Sequence, residues 1–181
     1  MQVMSCAMEW MKLALDAKEW EYKPVPHIYH HLPAEEDLYA LFRQGATLKA
    51  RGVSAAIAKD NSLPMQELRR RGVKKSINRG VVYEESDNLQ DFWNILEEVL
   101  VSRHGCSPVH SVEEMKRLKG LFPSNIRLFV AKVDGCVIAG TLVYETSQVA
   151  HAQYIAASKE GRAVGALDGL FCYLINEVFA E

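Results

Sequence analysis

The chain of 181 residues carries 21 lysines and arginines against 23 aspartates and glutamates, a formal net charge of −2. With 49% hydrophobic and 24% charged residues, its composition is that of a globular protein; disordered and collagen-like classes are excluded, and nucleic acid or an anionic membrane would feel no global attraction. The four cysteines, Cys6, Cys106, Cys136 and Cys172, are scattered without a C-x-x-C pair, which argues against a disulfide framework or a zinc knuckle.

The first residues place Met8, Met11 and Leu15 on one stripe among Glu9, Lys12, Asp16 and Lys18, so a helix is expected over residues 5–20. Charges begin at Glu9 and no basic n-region precedes it, so neither a signal peptide nor a membrane span is expected and the protein reads as cytoplasmic. Residues 22–32 hold two prolines and predict an extended edge segment. Pro33 and the acids after it predict a short helix through Phe42, closed by Gly45.

Residues 53–59 are apolar enough to predict a strand, and Asn61, Ser62 and Pro64 to start a helix that carries Arg69, Arg70, Arg71, Lys74, Lys75 and Arg79 up to Gly80. A short strand is expected at 81–84. Ser86 or Asp87 is expected to cap a helix whose apolar face is Leu89, Phe92, Trp93, Leu96, Val99 and Leu100. Residues 103–108 read as a loop, and Ser111 with Glu114 is a capping box that opens a helix to about Leu121. Residues 127–133 and 136–144 are β-rich runs joined by Asp134-Gly135, the chemistry of a two-residue hairpin.

Residues 149–156 predict a further strand and 158–165 a small-residue loop. Leu167, Leu170, Phe171, Leu174, Ile175 and Val178 then recur at helical spacing. A strand that feeds such a loop and then a helix start presents open backbone N–H groups to phosphate or pyrophosphate. The whole order predicts an α+β fold in which an antiparallel meander is flanked by helices.

This order, together with the strings RRRGVKKSINRGV, SRHGCSPVHSVEEMKRL, LFVAKVDGCVIAGTLVY and AQYIAASKEGRAVGALDGLFCYLI, resembles the GNAT (N-acetyltransferase) superfamily, in particular its Fem-like branch. The resemblance implies a mixed sheet and two segments. Residues 1–60 would be a short N-terminal piece, a remnant of a first GNAT-like lobe. Residues 61–181 would be a GNAT-like acyltransferase domain incomplete at its C-terminus, either a fragment or a domain that completes its sheet with a partner, such as a second copy in a homodimer.

The resemblance further implies an N-acyltransferase, expected to be an acetyltransferase, that moves an acyl group from acetyl-CoA or another acyl-CoA directly to a small-molecule or peptide amine without a metal. Ile155, Ala156 and Ala157 would offer backbone hydrogen bonds to pantetheine, and Arg162, Gly165 and Ala166 would meet the pyrophosphate. Arg162 and Gly165 fit the family's phosphate loop, while Ala166 or Leu167 stands at its last position. Arg103 and His104 would wall the acceptor pocket.

Such chemistry needs a base for the ammonium and an acid for the leaving group. Glu145, His151 and Tyr154 are the candidates by position. Two other readings stay open: a Fem-type aminoacyltransferase using charged tRNA, which would be held through Arg69, Arg70, Arg71, Lys74 and Lys75, and a non-catalytic GNAT-like binding module.

The remaining clusters point to bland roles. His27 and His31 would share a strand face while His30 points away, a poor tetrahedral site. Cys106 between His104 and His110 has no orienting third group, so a loop cysteine is the simpler reading.

Overall fold

In the computed structural model, which describes residues 2–180, the chain divides into two compact units, one up to Ala56 and one from Ile57 onward. The first unit holds helix α1 (Gln2–Leu15), a 3-10 turn at His27–Tyr29 and helix α2 (Glu36–Arg43). Gln44 Nε2 donates to Ser5 Oγ at 2.7 Å and Tyr22 Oη to Asp37 Oδ2 at 2.6 Å. The extended edge expected at 22–32 is thus interrupted by a turn. Residues 53–59, expected as a strand, form none: Val53 is 95% exposed, and an apolar run without a strand to pair with has no ladder to join.

The second unit is built on a four-stranded sheet in the order β1 (Val82–Ser86), β2 (Ile126–Val133), β3 (Cys136–Glu145), β4 (Ala150–Ala157). Every pairing among the described residues is antiparallel. Helix α3 (Glu67–Asn78) precedes β1, and α4 (Leu89–His104) and α5 (Val112–Leu121) lie between β1 and β2. After β4 come α6 (Lys159–Val164), α7 (Ala166–Tyr173) and a π-helical turn at Leu174–Val178. The α+β class and the antiparallel meander expected from the sequence are present.

Local chemistry explains where these elements stop and start. Asp134 and Gly135 both take positive φ, 49° and 79°, which gives the hairpin a turn whose twist matches its strands. Ser111 Oγ accepts from Glu114 N–H, and the Glu114 carboxylate accepts from Ser111 N–H at 2.8 Å. The cap of α4 is Asn88, whose Oδ1 accepts from Gln90 and Asp91 N–H, rather than Ser86 or Asp87. Helix α3 begins at Glu67, after the cap residue Gln66, several residues later than Asn61 and Ser62 suggested.

Alternation along the strands divides the core between two faces. Leu128 and Val130 of β2 pack with Leu142, Ala156, the α4 residues Phe92, Trp93 and Leu96, and Met115 of α5. Phe129, one residue out of phase, packs with Val143, Leu170 and Leu174 beneath α7. Ala131 joins Ala139, Ala157 and Ala166 on that second side. Both faces are covered, which is why β2 and β3 read as nearly continuous apolar runs. Full burial of one such large side chain stabilises by about 1.5–3 kcal/mol.

Small residues set how α7 meets α3 and β1. Tyr83 Oη donates to Ser76 Oγ at 2.6 Å, and Ser76 Oγ donates to Val73 O at 2.8 Å. A methyl at Gly169 would collide with both hydroxyls, and one at Gly72 would collide with the Asp168 carboxylate. Gly72 with Ser76, and Gly165 with Gly169, therefore form two small-residue pairs at i,i+4 spacing that let the helices approach closely.

Candidate functional site

The end of β4 and the helices after it converge on a cavity of about 160 Å³, lined by Arg69, Ala157, Gly161, Arg162, Gly165, Leu167 and Asp168. Three of the residues singled out for donor binding, Ala157, Arg162 and Gly165, meet there. Arg69, singled out as a tRNA contact, joins them from α3.

The backbone at this corner is more ordered than the expected loop. Ser158 N–H donates to Ile138 O at 2.9 Å, and Ser158 Oγ caps α6 by accepting from Gly161 N–H at 3.1 Å. Residues 159–164 are thus helical, and Gly165 (φ 74°) is the left-handed hinge that closes α6 and opens α7. A residue with a Cβ is strained at that φ.

The glycines at this corner make close contacts within the fold. A methyl on Gly161 would strike Ile138 O, and one on Gly165 would lie 2.6 Å from Gly72 O. Arg162 Nη1 donates to Ala157 O at 2.6 Å, which anchors one arm of the guanidinium while the side chain stays exposed. The Ala156 and Ala166 methyls are buried in the core, whereas Ile155 is 46% exposed on β4. Among the described residues β4 pairs only with β3.

The residues considered for proton transfer lie further back along β4. Pairing of Leu142 with Tyr154 and of Val143 with Ala152 leaves Gln153 as a bulge, so the strand bends next to Tyr154. Tyr154 Oη lies 2.7 Å from His110 Nδ1, and the Tyr154 ring meets Trp93 edge-on at 5.2 Å. His151 is exposed and stands opposite Tyr144, and Glu145 stands opposite Ala150.

Glu145 is engaged with Arg127, whose Nη1 reaches its Oε2 at 3.0 Å. The same guanidinium forks onto Glu85, at 3.1 Å from Nε to Oε1 and 2.8 Å from Nη2 to Oε2. The Glu85 bond is the main cause that pushes the Arg127 pKa upward, and its reciprocal holds the Glu85 carboxyl below the usual carboxylate range.

Other singled-out residues are placed apart from the cavity's lining. Arg103 and His104 form the exposed last turn of α4, closed by Gly105 in the left-handed conformation, where a loop had been expected. Arg70 pairs with Glu67 on its own helix, and Arg71, Lys74 and Lys75 lie on α3 outside the lining. In the first unit, His27 Nε2 lies 3.2 Å from Glu35 and His30 Nε2 lies 3.0 Å from Val25 O. Among the described residues no three potential ligands gather closely enough to hold a metal ion, and no helix is long and apolar enough to cross a membrane.

Sequence reasoning passed over His110 as a partner for Tyr154, Asp168 as a partner for Arg69, and Arg127 as the holder of Glu145. For His110 a signal was available, since the capping box at Ser111 fixes the helix start immediately after it. The i,i+4 small residues carried a comparable signal for the meeting of α3 and α7.

Residues 65–181 match the family model of the acetyltransferase (GNAT) domain. No curated protein matches the chain. Among solved structures, "a possible acetyltransferase from Clostridium difficile 630" aligns with a TM-score of 0.43 and 18% identity, over 53% of this chain and 69% of that one. The C-terminal domain (DUF2156) of a "Putative Lysylphosphatidylglycerol Synthetase from Agrobacterium fabrum" aligns with a TM-score of 0.46 and 15% identity, over 61% of this chain and 36% of that one.

Proposed function

Because the chain belongs to the acetyltransferase (GNAT) domain family, we propose that it transfers an acyl group from acyl-CoA, in the first instance acetyl-CoA, directly to an amine. The observation that carries this reading is the convergence of Ala157, Arg162 and Gly165 on one cavity where β4 runs into α6. A pyrophosphate there would meet the exposed Arg162 guanidinium, a charge-assisted partner for phosphate oxygens. Backbone groups of Ile155, Ala156 and Ala157 would pair with the pantetheine amides by strand addition.

Strand geometry gives the reach. From Ala157 to His151 is six residues, about 20 Å of strand, with Tyr154 halfway along. An extended donor laid along β4 from the cavity would carry its thioester toward Tyr154 and the end where His151 and Glu145 stand. In this reading Tyr154, backed by His110, handles the proton of the leaving thiolate, and Glu145 or His151 takes the proton of the incoming ammonium. Transfer is direct, with attack of the amine nitrogen on the thioester carbonyl and departure of the CoA thiolate. Arg103 and His104 are kept as acceptor contacts.

Calorimetric titration of the chain with acetyl-CoA tests the donor. Saturable binding that weakens in Arg162→Gln supports the reading, and no binding at millimolar ligand overturns it. The cations Arg71, Lys74 and Lys75 clustered on α3 favour, as a second reading, the Fem-like use of aminoacyl-tRNA. Binding of charged tRNA that fails when these three are neutralised would favour that donor instead.

A further inference from the structure

The donor reading accounts for Arg162, but the same cavity holds a second arginine that is already engaged. Arg69 Nη1 donates to Asp168 Oδ1 at 3.0 Å, a pair formed across 99 positions of sequence. The two partners differ in exposure: the Asp168 side chain is 20% exposed and that of Arg69 59%. The Asp168 carboxylate rests against α3, where a side chain on Gly72 would otherwise stand. Arg69 reaches over from α3 on a long stem and is the more exposed of the two.

A carboxylate paired with Arg69 at the start of α7, in a cavity that Arg162 also lines, occupies the electrostatic niche that an entering polyanion would seek. It both repels that anion and engages one of the cations needed to hold it. We propose that Asp168 is an internal competitor for Arg69: an entering pyrophosphate group takes Arg69 from Asp168, and the strength of this pair sets how tightly the site holds its donor. The inference rests on the donor reading above and deepens it, by assigning Arg69 as a phosphate ligand and Asp168 as its counterweight. The exchange needs no change in protonation and no movement of backbone.

Inorganic pyrophosphate is the direct probe, titrated calorimetrically against the full chain at low ionic strength, with acetyl-CoA titrated in parallel. Asp168→Asn keeps the size and one acceptor oxygen but removes the charge, and should tighten pyrophosphate binding roughly two- to fivefold, the range of a partly exposed ion pair. Arg69→Gln should weaken it by a similar factor, and in the Arg69→Gln background Asp168→Asn should give a much smaller gain.

Equal gains in both backgrounds would mean that general charge alone is at work, and would overturn the exchange. So would unchanged affinity in Asp168→Asn, or silence of both the native chain and that variant. If Asp168→Asn melts too early to titrate, Arg69→Gln decides alone, and unchanged pyrophosphate affinity refutes the proposal. Pyrophosphate following the expected pattern while acetyl-CoA binds no variant would sink the acyl-CoA reading and leave this one standing. The reverse, acetyl-CoA binding indifferent to both residues, would do the opposite.

Discussion

Replacing Gly165 with alanine should destabilise the second unit by two separable effects. The first is conformational, since φ is 74° there, and the left-handed region costs an L-residue about 1–2 kcal/mol. The second is steric: the new methyl would lie 2.6 Å from Gly72 O and 3.0 Å from its C and Cα. These are backbone atoms of α3 that cannot rotate away, and such overpacking costs about 1–3 kcal/mol. Alanine also stiffens the unfolded chain, which offsets about 0.4–1 kcal/mol. The net expectation is a loss of about 2.5 kcal/mol, near 8 °C in Tm at about 3 °C per kcal/mol for a chain of this size.

Two companion variants separate the effects. Gly105 has φ 63°, and a methyl there would meet nothing within 4 Å, so Gly105→Ala carries the conformational cost alone and should lose about 0.5–1 kcal/mol. Gly161 lies within α6 and faces Ile138 O, so Gly161→Ala carries the steric cost, partly offset by alanine's helix preference of about 1 kcal/mol. Urea denaturation followed by circular dichroism measures all three. If Gly165→Ala proves no more damaging than Gly105→Ala, the close approach of α3 to the α6–α7 hinge is refuted.

Two further outcomes follow from the sheet and the helix caps. Glu85 has its pKa lowered in the fold chiefly by the hydrogen bond from Arg127, so its contribution to stability is present above the unfolded carboxyl pKa and fades as pH falls through the lower folded value; Glu85→Gln should flatten the acid limb of a Tm-against-pH curve below about pH 4.3, and an unaltered limb would show that the Arg127 fork contributes nothing. Ser111→Ala removes one half of the capping box and should cost about 1 kcal/mol, with amide exchange accelerated in the first turn of α5 more than elsewhere; uniform acceleration would contradict a local cap.

What the residues determined by themselves was local. The capping box at Ser111, the Asp134-Gly135 turn and the apolar face of α4 each depend on interactions within a few positions, so their chemistry was readable before any contact was known. The β-rich runs at 127–133 and 136–144 were equally present in the string, as was the run from strand to helix that marks the candidate donor corner; which of Leu128 and Phe129 faces α4 was not, because a strand buried on both faces shows no alternation of polarity. The run at 53–59 misled because strand propensity has no effect without a neighbouring strand. Residues 159–164 misled in the opposite sense, since Gly161 suggested a loop while Ser158 supplied a cap and the glycine served to admit Ile138 O.

Only the tertiary structure decided which distant residues share the site. Arg69 and Asp168, His110 and Tyr154, and Arg127 with Glu85 and Glu145 are joined by the packing of α3 on α7, the docking of the segment before α5 near β4, and the strand order. Periodicity reports which face of an element is buried, but not which element covers it. That choice is settled by shape, here by Gly72, Ser76, Gly165 and Gly169, whose missing bulk lets α7 settle against α3 and so brings Asp168 under the guanidinium of Arg69.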